Sequence, residues 1–321
     1  MTVSRKLLIT YELEPSLLKQ VKAAIPDWKI YMSKNPADWD KHLQDAEVII
    51  GWRSNWNQEK LWSNNQLQWI QTWSAGVNSL PLDKLATHNI QLTSANGVHS
   101  YPISETIFAL MLALTRNIHT YVKNQKTKVW NDRGNTLEIH NKTIGIIGVG
   151  SIGQETAKLA KAFGMKVLGV RHSGKPVSYV DEMYKQSELK SILPHCDYIV
   201  ITLPLTDDTR HLFDKALFQE MKKSAFFINI GRGEIVKEED LVQALHNKDI
   251  AGAGLDVFET EPLKQTSPLW EMDNVIITPH TSGSTEHYAK RVIEDIFLPN
   301  LKTYLTNSKV LVNAVNYQKG Y

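Results

Sequence analysis

The sequence predicts an α/β protein of two Rossmann-like doubly wound parallel-sheet domains, with the active site in the cleft between them. Three observations predict it. The first hundred or so residues alternate short apolar runs with amphipathic ones, the same alternation resumes after the middle of the chain, and one apolar run passes through a glycine turn into a helical pattern. Alternation of this kind implies a parallel sheet with crossover helices, in which the loops at the carboxyl ends of the strands face a ligand.

At 321 residues and 42% hydrophobic, the chain is long enough for two cores. Lys and Arg number 36 against 34 Asp and Glu, for a net charge of +2, which gives no reason to expect a nucleic-acid or membrane partner. Small molecules are the expected partners. The single cysteine, Cys196, excludes an intrachain disulfide and reads as a packed core thiol, and no metal site is expected. Met1–Thr10 has too short an apolar run for a signal peptide, and no segment approaches the length of a membrane span, so a soluble cytoplasmic protein is expected.

In order, Lys6–Tyr11 reads as a strand and Pro15–Ile25 as an amphipathic helix stopped by Pro26. Further strands are expected at Trp28–Met32, Val48–Gly51 and Trp69–Trp73, the last leading into the loop Ser74-Ala75-Gly76-Val77-Asn78. Ile103–Arg116 is apolar almost all round, the pattern of a helix buried on several sides. A domain boundary is placed near Val98. Tyr121–His140 is polar but carries Trp130; either this is an arm whose aromatic packs on its own domain, or it is a dimer contact. Strands follow at Tyr198–Thr202, Phe226–Ile230, Gly252–Val257 and Asn274–Thr278, with Glu238–His246 among the intervening helices. Glu286–Tyr304 is an amphipathic helix that returns to the first domain, with Pro299 as a kink.

The organising stretch is Thr143–Ala157. Its turn, Gly148-x-Gly150-x-x-Gly153, gives a tight bend at the first glycine, close backbone approach to a pyrophosphate at the second and close helix–strand packing at the third. An apolar β-branched run precedes it, a helical pattern follows to Gly164, and the strand Lys166–Val170 completes a βαβ unit. The expected ligand is a dinucleotide.

Three polar residues follow strands directly: Arg232 in Asn229-Ile230-Gly231-Arg232-Gly233, Glu261 in Asp256-Val257-Phe258-Glu259-Thr260-Glu261-Pro262, and His280 in Thr278-Pro279-His280-Thr281. Together they form a set complete for reducing a 2-oxo acid. A guanidinium forks onto a carboxylate and polarises the adjacent carbonyl, an imidazole delivers a proton to the oxygen, and a carboxylate holds the imidazole. Glu259 is a rival for the carboxylate role. Asp256 is a candidate to bond the nicotinamide carboxamide, or else a structural loop cap.

These stretches, with Leu203-Pro204-Leu205-Thr206-Asp207-Asp208-Thr209 and Leu255-Asp256-Val257-Phe258, resemble the NAD(P)-dependent D-2-hydroxyacid dehydrogenases, the group that includes glyoxylate/hydroxypyruvate reductases. The likeness covers essentially the whole chain, including the ending Asn313-Ala314-Val315-Asn316 and Gly320-Tyr321. It implies that residues 1–98 and 285–321 form a flavodoxin-like substrate-binding domain and 99–284 the NAD(P)-binding Rossmann domain, hinged near Val98 and Ser284. It also implies that His280 is the general acid/base, that Glu261 rather than Glu259 pairs with it, and that Arg232 binds the substrate's carboxylate and carbonyl with the backbone amides of Ala75 and Gly76. Cofactor contacts are implied at Gly148, Gly150, Ser151, Ile152, Gly153, Leu203, Pro204, Thr209, Ile230, Gly231, Arg232, Asp256 and His280, and the arm around Trp130 implies a homodimer.

One position departs from NAD-preferring relatives, which carry an acidic residue after the second Rossmann strand. Here Arg171 stands there, followed by His172 and Ser173, with Lys175 nearby. A guanidinium takes a 2′-phosphate through charge-assisted hydrogen bonds, so NADP(H) is expected over NAD(H). The alternatives are formate- or phosphite-type dehydrogenases, similar in fold, and a non-catalytic NAD(P)-sensing protein resembling corepressors. Formate enzymes carry an amide where Glu261 stands, and no long extensions flank the core as a corepressor's would.

Overall fold

Short runs of Ile, Val and Leu become strands and the amphipathic runs between them become helices in both halves of the chain. The computed structural model describes residues 5–77, 79–131 and 136–318; Asn78, Gly320 and Tyr321, named above, and the first four residues of the chain lie outside the described residues. The chain divides into two units, Met1–Val98 with Thr285–Tyr321, and His99–Ser284.

The first unit holds a five-stranded sheet of β1 (Lys6–Ile9), β2 (Lys29–Met32), β3 (Val48–Ile50), β4 (Trp69–Gln71) and β5 (Gln91–Thr93), in the order β2-β1-β3-β4-β5. Every pairing is parallel. This is the flavodoxin-like strand order. Side chains alternate across it: Leu7, Ile9, Val48 and Ile50 enter one core with Leu17 and Val21 of the helix Pro15–Ala24, whereas Leu8, Ile49 and Ile70 enter another with Trp39, Leu43 and Leu61. Both faces are buried, as a parallel sheet with crossover helices requires. The carboxyl-terminal segment completes the first core, where Trp69 stacks on Phe297 at 4.9 Å between ring centroids.

Where the sequence reading places a kink at Pro299, the structure has a π-helical turn, Val292–Phe297, followed by an α-helix, Leu298–Asn307. Proline has no N–H to return to the carbonyl four residues back, so the preceding turn widens and Pro299 enters in the first turn of the next helix, where an N–H is dispensable.

The second unit holds a seven-stranded sheet, β6 (Thr143–Ile147), β7 (Lys166–Val170), β8 (Glu182–Tyr184), β9 (Tyr198–Ile201), β10 (Phe226–Asn229), β11 (Gly252–Leu255) and β12 (Val275–Ile277). Its order is β12-β11-β10-β9-β6-β7-β8, again parallel throughout. The edge strand β8 has no apolar run to announce it; it forms because Glu182–Tyr184 registers against Leu168–Val170. The helix Ser100–Thr115 packs Ile107, Leu110, Met111 and Leu114 with Ile144, Ile146, Val200 and Ile228 of the sheet. On the other face Phe213, Phe218 and Phe227 form a cluster with centroids 5.2 to 6.2 Å apart.

Cys196 lies in this second core, its thiol pushed up to about 12 by burial. Trp130, by contrast, is fully exposed, which sets aside the reading in which it packs on its own domain. Ile118, Val122, Val129 and Leu137 are also exposed. Among the described residues no helix is long and apolar enough to cross a membrane, and no group of His, Cys, Asp and Glu has the makings of a metal site.

Candidate active site

In the second unit β6 lies between β7 and β9, so the chain reverses its direction of winding there and the loops after β6 and β9 part to leave a crevice. Gly148 occupies the loop after β6 with φ of +109°, and a Cβ there would fall 2.7 Å from the Leu203 backbone nitrogen after β9. Only glycine satisfies both constraints. The N–H groups of Gly148 and Val149 donate to the Val170 carbonyl at 2.9 and 3.0 Å, fastening the turn to the end of β7. The helix Ser151–Ala162 starts directly after Gly150, at which a Cβ would meet nothing within 4 Å. The helix therefore begins at an open position, and the first turn of a helix is where backbone N–H groups accept a phosphate.

Arg171 leaves β7 on this same edge, its backbone N–H donating to the Tyr184 carbonyl at 3.1 Å. Its guanidinium has no hydrogen-bond or ion-pair partner among the described residues. His172, Ser173 and Lys175 beside it are exposed, and the Lys175 N–H donates to the Ser173 hydroxyl at 3.3 Å. The residues present thus fit a dinucleotide.

Thr209, among the cofactor contacts expected from sequence, is tied within its loop. It is 5% exposed, and its hydroxyl donates to the Pro204 carbonyl at 2.8 Å while accepting from the Thr206 N–H at 2.7 Å. Leu203 lies beside the glycine turn. Ile230 is buried, and Gly231 donates its N–H to the Asn229 side chain at 3.1 Å.

Asn229 is a residue the sequence reading missed. Buried at the end of β10, it accepts from Gly231 and donates to the Arg232 carbonyl at 3.2 Å, so one amide clamps the loop that carries the exposed Arg232. The available signal is a lone polar residue closing the apolar run Phe226-Phe227-Ile228. The Arg232 Nη1 donates to its own neighbour's carbonyl, Gly231, at 2.7 Å. Gly233 follows, and a Cβ on it would lie 1.8 Å from the Phe258 carbonyl carbon, so the loops after β10 and β11 run backbone against backbone.

That second loop carries both carboxylates under comparison. Glu261 Oε2 accepts from His280 Nδ1 at 2.7 Å, and its other oxygen accepts from the Phe258 N–H at 3.0 Å. Glu259 turns away to His211 Nε2 at 2.6 Å. Its backbone N–H donates to Glu238, whose carboxyl is pushed above the usual carboxylate range by burial. The structure therefore pairs Glu261, not Glu259, with His280. With Nδ1 engaged by a carboxylate, the ring is held in orientation and Nε2 is its second working nitrogen. A cavity of about 410 Å³ opens beside the pair, lined by Phe258, Pro262, Trp270 and Ile277 as well as Glu261 and His280.

His280 takes the left-handed conformation, φ +52°, which costs an L-residue roughly 1–2 kcal/mol. Asp256 answers that cost. It is 0% exposed, and its carboxylate accepts from the Thr278 hydroxyl at 2.6 Å, the Thr281 N–H at 2.9 Å and the Ser282 N–H at 3.0 Å. This enclosure matches the loop-cap reading of Asp256 drawn from sequence. In the first unit, Ala75 and Gly76 follow β4, and their N–H groups have no acceptor among the described residues.

The model of the family described as D-isomer specific 2-hydroxyacid dehydrogenase, NAD binding domain, matches residues 108–282. Glyoxylate/hydroxypyruvate reductase B of Serratia proteamaculans is 36% identical over 283 residues, 86% of each chain. A solved D-isomer specific 2-hydroxyacid dehydrogenase family protein from Aeromonas salmonicida is 34% identical with a TM-score of 0.82, over 98% of this chain and 99% of that one. The NADPH-dependent glyoxylate/hydroxypyruvate reductase of Sinorhizobium meliloti, solved with NADP and sulfate, is 27% identical with a TM-score of 0.76, over 99% of this chain and 100% of that one.

The Gly233 contact yields a test. Gly233→Ala has to separate the two loops, and a stability loss of at least ~2 kcal/mol is expected from overpacking against backbone that cannot turn aside. An unchanged urea midpoint for this variant would show that the loops are not held together there.

Proposed function

The chain belongs to the D-isomer specific 2-hydroxyacid dehydrogenase family, and from that premise we propose that it reduces a small 2-oxo acid of the glyoxylate or hydroxypyruvate kind to the D-2-hydroxy acid, using NADPH. The observation that carries this reading is the His280–Glu261 pair, joined at 2.7 Å at the carboxyl edge of a sheet whose glycine turn fits a dinucleotide.

NADPH, when bound, supplies the hydride. His280 delivers a proton from Nε2 to the carbonyl oxygen as that oxygen gains charge, while Glu261 holds Nδ1 and stabilises the imidazolium. Arg232 forks onto the substrate carboxylate and polarises the adjacent carbonyl, which requires its guanidinium to leave the Gly231 carbonyl. The N–H groups of Ala75 and Gly76 are further donors for that carboxylate. Gly148 to Gly153 hold the pyrophosphate, Leu203, Pro204, Ile230 and Gly231 line the nicotinamide side, and Arg171 with His172 and Ser173 takes the 2′-phosphate.

We assign the exposed apolar residues Ile118, Val122, Val129 and Trp130 to a homodimer contact. Light scattering should give twice the mass of one chain, and Trp130→Asp should shift it toward one; a native monomer at micromolar concentration refutes the assignment.

Following NADPH oxidation with a panel of 2-oxo acids, alongside NADP reduction with formate and phosphite, tests the reaction class. Turnover confined to formate or phosphite refutes the reading. His280→Ala should abolish most turnover. Arg232→Ala should lower kcat/KM by about 2–5 kcal/mol, with Arg232→Lys recovering only part because an ammonium cannot fork. Equal activity of the two Arg232 variants is incompatible with a bidentate role. For the cofactor, the ratio of kcat/KM for NADPH over NADH should exceed about tenfold, roughly 1.4 kcal/mol, and fall in Arg171→Ala mainly through KM for NADPH. A native preference for NADH removes Arg171 from the site.

A further inference from the structure

Three cations gather at the carboxyl ends of β7 and β8 with no carboxylate to pair them. Arg171 follows β7 directly, Lys175 lies in the loop after it, and Lys185 follows the edge strand β8. None of the three enters an ion pair among the described residues. At the amino ends of the same strands the charges cancel: Lys166 meets Glu182 at 2.7 Å, and Lys161 meets Asp181 at 2.9 Å. The acids three residues either side of Lys185 are committed. Glu182 also accepts from the Tyr184 hydroxyl at 2.5 Å, and Glu188 accepts the Lys185 backbone N–H at 2.9 Å.

Sequence places Lys185 well apart from Arg171, and strand pairing brings them together. β8 registers Tyr184 against Val170, and the Arg171 N–H donates to the Tyr184 carbonyl at 3.1 Å, so Lys185 is the next residue alongside Arg171. The loop after Arg171 then turns back, with the Gly174 N–H donating to the Arg171 carbonyl at 3.1 Å. Gly174 has φ of +62°, and a Cβ on it would lie 3.1 Å from Lys185 Cγ and 3.4 Å from its Cε. The Lys185 stem therefore lies along the residue of Arg171–Lys175 that has no side chain, and its ammonium is one bond past that contact. Cations gathered in this way repel one another, which is unfavourable until an anion enters among them.

We propose that Lys185 is a cofactor-selecting residue, the second cation of a clamp for a phosphate monoester. Arg171 forks onto the phosphate from the end of β7, and Lys185 closes on it as a point charge from the end of β8. A phosphate monoester carries about two negative charges at neutral pH, more than one guanidinium neutralises. This rests on the reading of NADPH as the cofactor, whose 2′-phosphate is the monoester, and it adds a residue that the loop sequence after β7 does not contain. NADH offers a hydroxyl in the same place and gains nothing from the second cation, so Lys185 acts on the difference between the two. Free inorganic phosphate presents the same chemistry, and the test separates the two sources.

Calorimetric titration of native protein, Lys185→Gln, Lys185→Arg and Arg171→Ala with adenosine 2′,5′-bisphosphate, 5′-AMP and inorganic phosphate reads the clamp without turnover. Lys185→Gln should weaken adenosine 2′,5′-bisphosphate by about tenfold and leave the Kd for 5′-AMP within about twofold, and Lys185→Arg should stay near native. Added salt should weaken the bisphosphate less in Lys185→Gln than in native protein, because one charge pair fewer is there to screen. An unchanged affinity in Lys185→Gln, or an equal loss for 5′-AMP, overturns the proposal while the Arg171→Ala titration still decides the reading of Arg171. Inorganic phosphate binding as tightly as the bisphosphate assigns the clamp to free phosphate and overturns the cofactor role. A native protein that holds the bisphosphate no tighter than 5′-AMP refutes both this proposal and the NADPH reading.

Discussion

Seven strands running parallel deliver every strand-to-helix loop of the second unit to one edge, and the candidate site depends on that constraint before any side chain is considered. Gly148 follows β6, Arg171 follows β7, Leu203 follows β9, Arg232 follows β10, Asp256 follows β11 and His280 follows β12. In an antiparallel sheet consecutive loops would alternate between edges and half of these residues would be lost to the opposite side. The parallel arrangement in turn demands crossover helices on both faces, which is why the inner strands are largely apolar and the polar residues collect where they end.

Neighbouring loops are then pressed together by backbone contact. At Gly148 the loop after β6 meets Leu203, and at Gly233 the loop after β10 meets Phe258, each at a distance that no side chain tolerates. These contacts are stiff because neither partner can rotate away, and packed interiors transmit displacement instead of absorbing it. Arg232 thus inherits its place from Asn229 and Gly233, and Glu261 inherits its place from the Phe258 N–H that binds it. Functional side chains here are short extensions of a rigid backbone edge, the condition under which orientation contributes most to rate.

The His280 loop departs from low-energy geometry in two respects at once. It holds a non-glycine residue left-handed and encloses a carboxylate without a cation. Each feature is unfavourable alone, yet they offset one another: the turn supplies N–H donors for the charge, and the charge supplies an acceptor for the turn. Local rules of sequence–structure consistency are broken where chemistry is done, and the surrounding sheet carries the compensation.

Much of this was legible in the sequence because it is local. The period-two and helical apolar patterns give both sheets and most crossover helices, and the spacing Gly148-x-Gly150-x-x-Gly153 between a strand and a helix carries its own steric reason. The succession of motifs ending at Arg232, Glu261 and His280 named the family. The edge strand β8 escaped because its strand character comes only from pairing with β7, and Pro299 was met by a widened π-helical turn whose geometry depends on the surrounding core. The choice between Glu259 and Glu261 turns on direction, since residues two apart in an irregular loop point wherever their partners lie: His211 for one and His280 for the other. Thr209 and Asp256 also tie loops together, which their motifs did not announce, because which way a polar side chain faces is decided by the donors the fold brings to it. Sequence determined which residues stand at the ends of strands; only the tertiary structure decided which of them turn outward and which turn in to hold the others, because that depends on hydrogen bonds between segments far apart in the chain.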